Sequence, residues 1–567
     1  MKHVIIVFER PDIPAAKLIL ENFVTAEVWV FDPHLLDDLA IAKISNAQYI
    51  KSHVNFDLLK FNDEIQIEAL YIGFEIEKIF KNGSLNDTTN YKYWQNLNLH
   101  NLLMNIHGYT KLWDSMLTSE LDSHHFHIPV YDRAAEYYLP SFLPAIMLLE
   151  RMIIKDIPFS SYAHSKLNEY SRLLPIINDI QNDYSNYIFI HLPTCIYDAQ
   201  FLDDELTKLK KSVLVFQSQD WNVNLSSFEN SQFESTNLVI SKLSDFIGND
   251  INSKIEQIKT FLFTYFKKFL SSDFFINRQI NNIAERYRSL LVYFNYLEYK
   301  FSTSRPHAII LSSHDAGLHG AFYSFADKYD IKTIIFPHAK IINWPIEKKH
   351  TTNLITVSHP IQGGTVQNID KNKVINLTIK YPENLYYQYK SVNSIKTIGI
   401  IINKFSNDGI SFVDTNLYLE GLQNIIDWSV KYNIIVKLRL KPGGTCFKWL
   451  SDSLNISINS LIENTQITLK DFALTTDLCL MYDAPTSGAI VLLDNSIPLI
   501  GVTNRKLLPT ESAIVSDNIV PSLSITKALE LLNTFLNKEL NFINFRSEQF
   551  FRYFTKIKSS TSLSELC

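Results

Sequence analysis

Short apolar runs separated by polar turns set the rhythm of the chain. Residues 3–8 (HVIIVF) and 27–31 (EVWVF) are rich in β-branched and aromatic side chains, and the stretch between them, around 15–22, is long enough for a helix. That order predicts the start of a parallel βαβ unit. The same runs return at 187–191, 212–216, 307–311, 333–336 and 354–357. Between them, 261–301 carries aromatic residues at helical spacing, which predicts one or two long helices whose aromatic stripe is core rather than a platform for stacking bases.

A polar interval at 386–396 (YYQYKSVNSIK) reads as a linker, and a second α/β block follows it. Its expected elements are a strand at 397–402, a helix near 417–432, a strand at 434–440, a segment at 466–469, a strand at 477–481, a helix at 489–493 and a strand at 497–501. The last stretch, 525–554, has an amphipathic helical pattern.

Composition narrows the class. With 567 residues, 46% hydrophobic and 20% charged, the chain has material for two or three domains with cores of their own. No apolar run is long enough to span a bilayer, and Met1-Lys2-His3 leads into a strand pattern rather than a signal peptide, so a cytoplasmic location is expected. A net charge of -6 argues against a dedicated nucleic-acid binder. Cys195, Cys446, Cys479 and Cys567 are too scattered for a disulfide framework or a zinc knuckle. His124, His125 and His127 stand close together, but no second ligand group at recognisable spacing accompanies them, and no metal is expected.

Two turns carry candidate chemistry. In VKLRLKPGG (436–444) and MYDAPTSGAIVLL (481–493) an apolar run ends in a small, polar, glycine-bearing turn, and the second turn opens into a helix. Free N–H groups and hydroxyls at such a point favour a phosphate. Thr486, Ser487 and Gly488 are the phosphate candidates, with Asp483 before them and Arg439, Lys441, Pro442 and Gly443 as the basic turn. A plain helix cap and an ordinary strand-ending turn are the alternatives. Further upstream, Ser313, His314 and Asp315 follow the 307–311 run and His338 follows the next one. Parallel strands bring such turns to one side of a sheet, although Asp315 could equally cap a helix beginning near Gly317, beside which His319 reads as a surface or core histidine. Asp132 and Arg133, after another apolar run, are candidates for an acceptor-facing edge, with an N-cap and a solvated charge as the other account.

In order along the chain, LSSHDAG (311–317), IIFPHAK (334–340), LRLKPGG (438–444) and DAPTSGA (483–489) resemble the GT-B glycosyltransferases, and within them the bacterial enzymes that use CMP-activated 2-keto sugar acids, the Kdo transferases and sialyltransferase-like families. The resemblance covers roughly the last half of the chain. Lys441-Pro442 stands where relatives commonly have His-Pro, and Pro337-His338-Ala339 where they have Gln-His-Gly. Asp483 and Val491 stand where UDP- or GDP-sugar enzymes often carry paired glutamates, which favours a CMP donor.

The resemblance implies an α/β GT-B fold, two Rossmann-like domains facing a cleft with the N-terminal one enlarged. Its domains would be an acceptor-binding 1–385, with room for an extra α/β subdomain at 1–180, and a nucleotide-sugar-binding 397–530. A helical segment at 531–567 would pack back on the N-terminal domain. The implied reaction transfers Kdo or a sialic, pseudaminic or legionaminic type acid to a sugar hydroxyl of a surface polysaccharide or glycoconjugate, without metal or other cofactor. Its partners are a nucleotide-sugar donor and a glycan or glycolipid acceptor, with no nucleic acid. Aromatic and basic residues at 545–558 allow peripheral contact with the inner membrane. Asp315 is the expected base or nucleophile and His338 the group that protonates or orients the leaving phosphate. A UDP- or GDP-sugar enzyme and a non-catalytic GT-B-like assembly protein are the rival readings.

Overall fold

The computed structural model describes residues 2–51, 53–82, 89, 91–117, 123–130, 143–163, 183–192, 199–209, 211–218, 233–238, 249–311, 319–335, 354–357, 374–376, 393–403, 405, 412–442, 446–483, 486, 488–507, 519–557 and 563. Their strands form three parallel sheets, so the α/β expectation holds.

The first sheet takes β1 (Lys2–Val7), β2 (Glu27–Val30), β3 (Ala47–Tyr49), β4 (His124–Val130) and β5 (Phe159–Ala163), in the order β3-β2-β1-β4-β5. The second takes β6 (Tyr187–His191), β7 (Ser212–Ser218), β8 (Phe233–Leu238), β9 (Ala308–Leu311), β10 (Lys332–Ile335), β11 (Leu354–Val357) and β12 (Val374–Asn376), in the order β12-β11-β10-β9-β6-β7-β8. The third takes β13 (Thr397–Ile402), β14 (Ile435–Leu440), β15 (Leu478–Tyr482), β16 (Leu499–Val502) and β17 (Ser522–Leu523), in the order β14-β13-β15-β16-β17.

Each order starts in the middle of its sheet, winds one way, then returns and winds the other. That is the doubly wound topology, and the crevice for a ligand lies where the order reverses, outside the carboxyl ends of the two strands concerned. The reversals fall between β1 and β4, between β6 and β9, and between β13 and β15. All three sheets thus have a Rossmann-like order, and the first of them lies within the stretch 1–180. Strands such as β9 and β15 read as unbroken apolar runs because both their faces are covered, and every residue of AIIL and LCLMY is buried. In the helices Asn249–Phe266 and Asp273–Phe301, Phe266, Phe275, Tyr287, Tyr293, Phe294 and Phe301 are buried, as the core reading of the aromatic stripe requires.

The chain divides into compact units in a way the linear pattern does not suggest. One unit joins 1–63, 101–169 and 382–554; the other joins 64–100, 170–381 and 555–567. The first sheet therefore belongs with the C-terminal sheet rather than with an undivided block 1–385. The physical reason is a shared core: Ile5, Val7, Val28 and Val30 sit in one apolar cluster with Ile398, Ile400, Leu440, Leu480 and Ile500. Rings of both parts interlock there, with centroids 5.4 Å apart for Tyr49 and Trp449, 4.8 Å for Phe405 and Trp449, and 4.8 Å for Phe405 and Tyr418. Which apolar faces meet across hundreds of residues is not encoded in the spacing of either run.

The stretch after 525 is two helices, Ile525–Asn537 and Glu539–Ile557. The second is pinned to the C-terminal sheet by Gln549, whose Oε1 accepts from Leu499 N–H (2.9 Å) and whose Nε2 donates to the carbonyls of Leu499 (2.8 Å) and Ile519 (2.9 Å). Phe550 and Tyr553 are buried on the same side and Phe551 faces out. Leu563 lies instead in the core of the seven-stranded sheet, its N–H donating to Glu205 Oε2 at 2.7 Å. Among the described residues no helix is long and apolar enough to cross a membrane.

Candidate functional site

The C-terminal sheet holds the described part of the site. At the reversal between β13 and β15 the chain leaves β15 through Tyr482 and Asp483. Tyr482 is buried and its hydroxyl donates to the carbonyl of Tyr418 at 2.5 Å, which fixes the strand end against the helix Thr415–Lys431. Gly421 of that helix makes the approach possible: a Cβ there would lie 2.3 Å from the Tyr482 hydroxyl and 2.3 Å from Ile525 Cδ1.

Asp483 then turns the chain with φ of 63°, in the left-handed region that Asp tolerates better than most residues. Its N–H still donates to Val502 O at 2.8 Å, so the turn begins on the sheet itself. Arg505, in the loop after β16, grips the carboxylate with two charge-assisted bonds, Nε to Oδ1 at 2.8 Å and Nη2 to Oδ2 at 2.9 Å. The Thr503 hydroxyl adds a contact to Oδ1 at 3.4 Å. Neighbouring loops of two parallel strands are in this way locked together at their carboxyl ends. Arg505 was not legible as a site residue, since nothing in VTNRK marks a partner 22 positions away.

Thr486 accepts from Gly488 N–H through Oγ1 (3.0 Å) and from Ala489 N–H through its carbonyl (3.1 Å), so it caps the short helix Gly488–Asp494. Gly488 is confined, because a Cβ would come 2.8 Å from Leu469 Cδ2 and 2.9 Å from Thr486 Oγ1.

The basic turn after β14 differs from expectation. Arg439 is buried, and its guanidinium donates to the carbonyls of Ile467 (3.0 Å) and Leu440 (3.2 Å), leaving a buried Nε without a hydrogen-bond partner. Burial also pushes its pKa down. Arg439 ties the strand to the end of the helix Ile458–Gln466 and is not a free counter-charge for a phosphate. Lys441 and Pro442 are exposed at the strand end, and Lys441 makes no ion pair among the described residues.

The helix that follows, Phe447–Leu454, does not present an open N-terminus either. Asp37, from the helix Leu35–Ile41, accepts from Phe447 N–H at 3.0 Å and from Lys448 N–H at 2.8 Å. A carboxylate of the first sheet's unit occupies the place a phosphate would take. Asp37→Ala should cost about 1 kcal/mol of stability by uncapping the helix. Burial is the largest influence on Asp37 and raises its carboxyl above the usual value, so the neutral Asp37→Asn should retain most of the cap. Denaturant midpoints of both variants check this, and an Asp37→Ala midpoint equal to the unaltered chain would remove the cap from the account.

Asp315, His338, Ser313, His314, Asp132, Arg133, Gly443 and Ser487 lie outside the described residues, as does the expected linker from 386 to 392. The strand that leads to Asp315 is described. β9 ends at Leu311, which pairs with His191 at the end of β6, the point where the seven-stranded order reverses.

His191 is a residue that sequence reasoning passed over. Its Nδ1 lies 3.0 Å from Phe216 O, and its own carbonyl lies 3.1 Å from His319 Nε2. Both rings are fully buried, which settles the reading of His319 in favour of a core histidine. Burial depresses the pKa of His191 to about 4, so the ring is neutral and donates from Nδ1 to the carbonyl. The only signal for this was a polar residue closing an otherwise apolar strand, YIFIH.

No protein-family model and no curated protein matches the sequence. Among solved structures the chain is similar to the glycosyltransferase of kitacinnamycin, with TM-score 0.36 and 10% identity over 67% of this chain and 97% of that one. It is similar to MurG of Acinetobacter baumannii, with TM-score 0.35 and 9% identity over 67% and 97%. It is also similar to the spinosyn rhamnosyltransferase SpnG in complex with spinosyn aglycone, with TM-score 0.34 and 11% identity over 67% and 98%. Likeness at this level carries no weight for function, and the strand orders stand on their own.

Proposed function

We propose that the chain is a GT-B glycosyltransferase that moves Kdo or a related nonulosonic acid from its CMP donor to a sugar hydroxyl of a bacterial surface polysaccharide or glycoconjugate. What supports this reading is a coincidence of motif and topology. The two turns richest in candidate chemistry, at Asp315 and at Asp483 to Gly488, both follow strands that flank a reversal of strand order, β9 and β15.

In the reaction the acceptor oxygen bonds to the anomeric carbon, the bond from that carbon to the phosphate oxygen breaks, and CMP leaves with the electron pair. Charge develops on the phosphate and on an oxocarbenium-like sugar, so the enzyme needs cationic and N–H donors at one and a carboxylate at the other. Lys441 is the cation available to the phosphate once Arg439 is assigned to backbone carbonyls. Thr486, with its hydroxyl hydrogen still free to donate, and Ser487 supply the polar turn. Asp315 takes the acceptor proton as base, which gives inversion, or attacks the anomeric carbon itself, which gives net retention. His338 orients the leaving phosphate.

Thermal denaturation with CMP, UDP and GDP tests the reading. A nucleotide at a hundred times its Kd stabilises the fold by about 2.7 kcal/mol. CMP should raise Tm and the other two should not, and the CMP shift should shrink in the double variant Lys441→Ala/Ser487→Ala. Protection by UDP or GDP alone would replace the CMP donor, and protection by none would remove the nucleotide-sugar reading.

A further inference from the structure

The helix Leu58–Lys81 is apolar on two opposite faces. Ile65, Ala69, Ile72, Ile76 and Phe80 are buried and give it a core side. On the other side Ile67, Tyr71 and Phe74 stay 70%, 48% and 46% exposed, in one row rather than as scattered single side chains. Glu64 and Lys78 are exposed too and continue the row, which runs 64, 67, 71, 74, 78 in steps of three, four, three and four. Steps that average 3.5 residues keep side chains on one seam of a helix, the spacing by which two helices pack side by side.

The row is symmetric about Tyr71 in position and opposite in charge. Glu64 lies seven residues before Tyr71 and Lys78 seven residues after it. From 64 to 71 the charged residues are Glu64 and Glu68, with no Lys or Arg. At the other end Lys78 and Lys81 of the helix meet Lys92 of the turn Tyr91–Tyr93, against Glu75 and Glu77.

The basic end is built by close packing. Gly73 lets the turn approach the helix, since a Cβ there would lie 2.5 Å from Lys92 O, and Lys92 Nζ stands 4.5 Å over the Phe74 ring. Phe74, Glu77, Lys78, Lys81 and Lys92 line a hollow of 340 Å³ at this end. Lys78 Nζ is 2.6 Å from Glu75 Oε1 and Lys81 Nζ is 2.6 Å from Glu77 Oε1, so Lys92 tips the balance of charge to positive.

We infer that this row is the contact by which two copies of the chain pair, their helices antiparallel about a two-fold axis at Tyr71, a conclusion independent of the transferase reading. The rotation sets Tyr71 against Tyr71, Ile67 of each copy beside Phe74 of the other, and Glu64 against Lys78 twice. The acidic end of one copy thereby meets the basic hollow of its mate. A parallel pair would set Glu64 beside Glu64 and Lys78 beside Lys78, so charge selects the antiparallel one. One row of part-exposed apolar side chains falls below the roughly 1,200 Å² that stable pairs bury, so the dimer is weak and reversible, with a Kd of about 10–100 µM.

Sedimentation velocity of the full chain from about 1 to about 200 µM tests the pairing, and the sedimentation coefficient should rise with concentration from that of a monomer to that of a dimer. Tyr71→Glu, which sets two carboxylates face to face on the axis, should weaken association at least about tenfold, and so should Glu64→Lys and Lys78→Glu singly. Those two single variants, mixed, should pair about as tightly as the unaltered chain, because one then carries only cations at 64 and 78 and the other only carboxylates. The double variant Glu64→Lys/Lys78→Glu should recover self-pairing for the same reason. All three positions are exposed, so the variants keep the core of the helix, and an unchanged Tm at low concentration verifies it. A sedimentation coefficient constant over the whole range, a dimer that Tyr71→Glu leaves intact, or no association between the two mixed charge variants overturns the inference.

Discussion

Asp315→Ala should abolish sugar transfer, by about a thousandfold or more, while the Tm shift produced by CMP stays close to that of the unaltered chain. A group that accepts the proton of the attacking hydroxyl, or itself attacks the anomeric carbon, acts chiefly in the transition state, so its loss falls on turnover rather than on donor affinity. The placement of β9 makes the expectation specific: Leu311 ends that strand beside His191 at the reversal of the seven-stranded order, and Asp315 comes four residues later. His191 at the same strand end is neutral and buried, and its Nδ1 is engaged with Phe216 O, so it offers no carboxylate substitute. Intact mass of the unaltered enzyme given donor without acceptor separates the two roles, since a nucleophile leaves a sugar adduct on Asp315 and a base does not. Full activity in Asp315→Ala would exclude this residue and move the search to Asp132, because Asp483 is committed to Arg505.

The elements that were legible are those whose physics is local. Strands buried on both faces are continuous apolar runs, and β6 and β13 fall on the residues the pattern marks. The first helix and the aromatic pair of helices follow from spacing in the same way. Illegible were the short edge strands β3 and β17, with three and two residues, where too few side chains are buried to leave a period. The long helices Leu58–Lys81, whose apolar positions are interleaved mainly with Glu and Lys, and Asn96–Met116, interleaved mainly with Asn and His, present no continuous apolar run to mark them.

At the site, residue type was legible and pairing was not. Arg439 and Lys441 look equivalent in LRLKP, yet Arg439 lies within β14, buried with its guanidinium on backbone carbonyls, while Lys441 follows the strand's last residue and is exposed. The helix that follows the Lys441 turn has its start closed by Asp37, 410 positions away from Phe447. Long-range partners of this sort depend on which faces share a core, and that is settled by the total apolar area removed from water rather than by any local motif.

Arg505→Ala should destabilise the C-terminal sheet by about 2–3 kcal/mol, somewhat below the cost of orphaning a fully buried charge, because the paired side chains retain 17% and 14% of their exposure. Without the guanidinium, Asp483 keeps a carboxylate that the loop can no longer satisfy and a backbone at φ 63° that the pair helps to hold. Asp483→Ala loses the same pair and adds the left-handed strain of a residue with no local hydrogen bond to offer, about 1 kcal/mol more. Asp483→Gly relieves that strain and should therefore be less destabilising than Asp483→Ala, an order opposite to the one found in a helix or strand. The double variant Asp483→Gly/Arg505→Ala should cost clearly less than the sum of its two single changes, since both remove one interaction. Chemical denaturation midpoints for the four variants decide the matter: strict additivity would mean the two bonds contribute nothing net, and equal midpoints for Gly and Ala at 483 would mean that the turn is held by the ladder bond to Val502 alone.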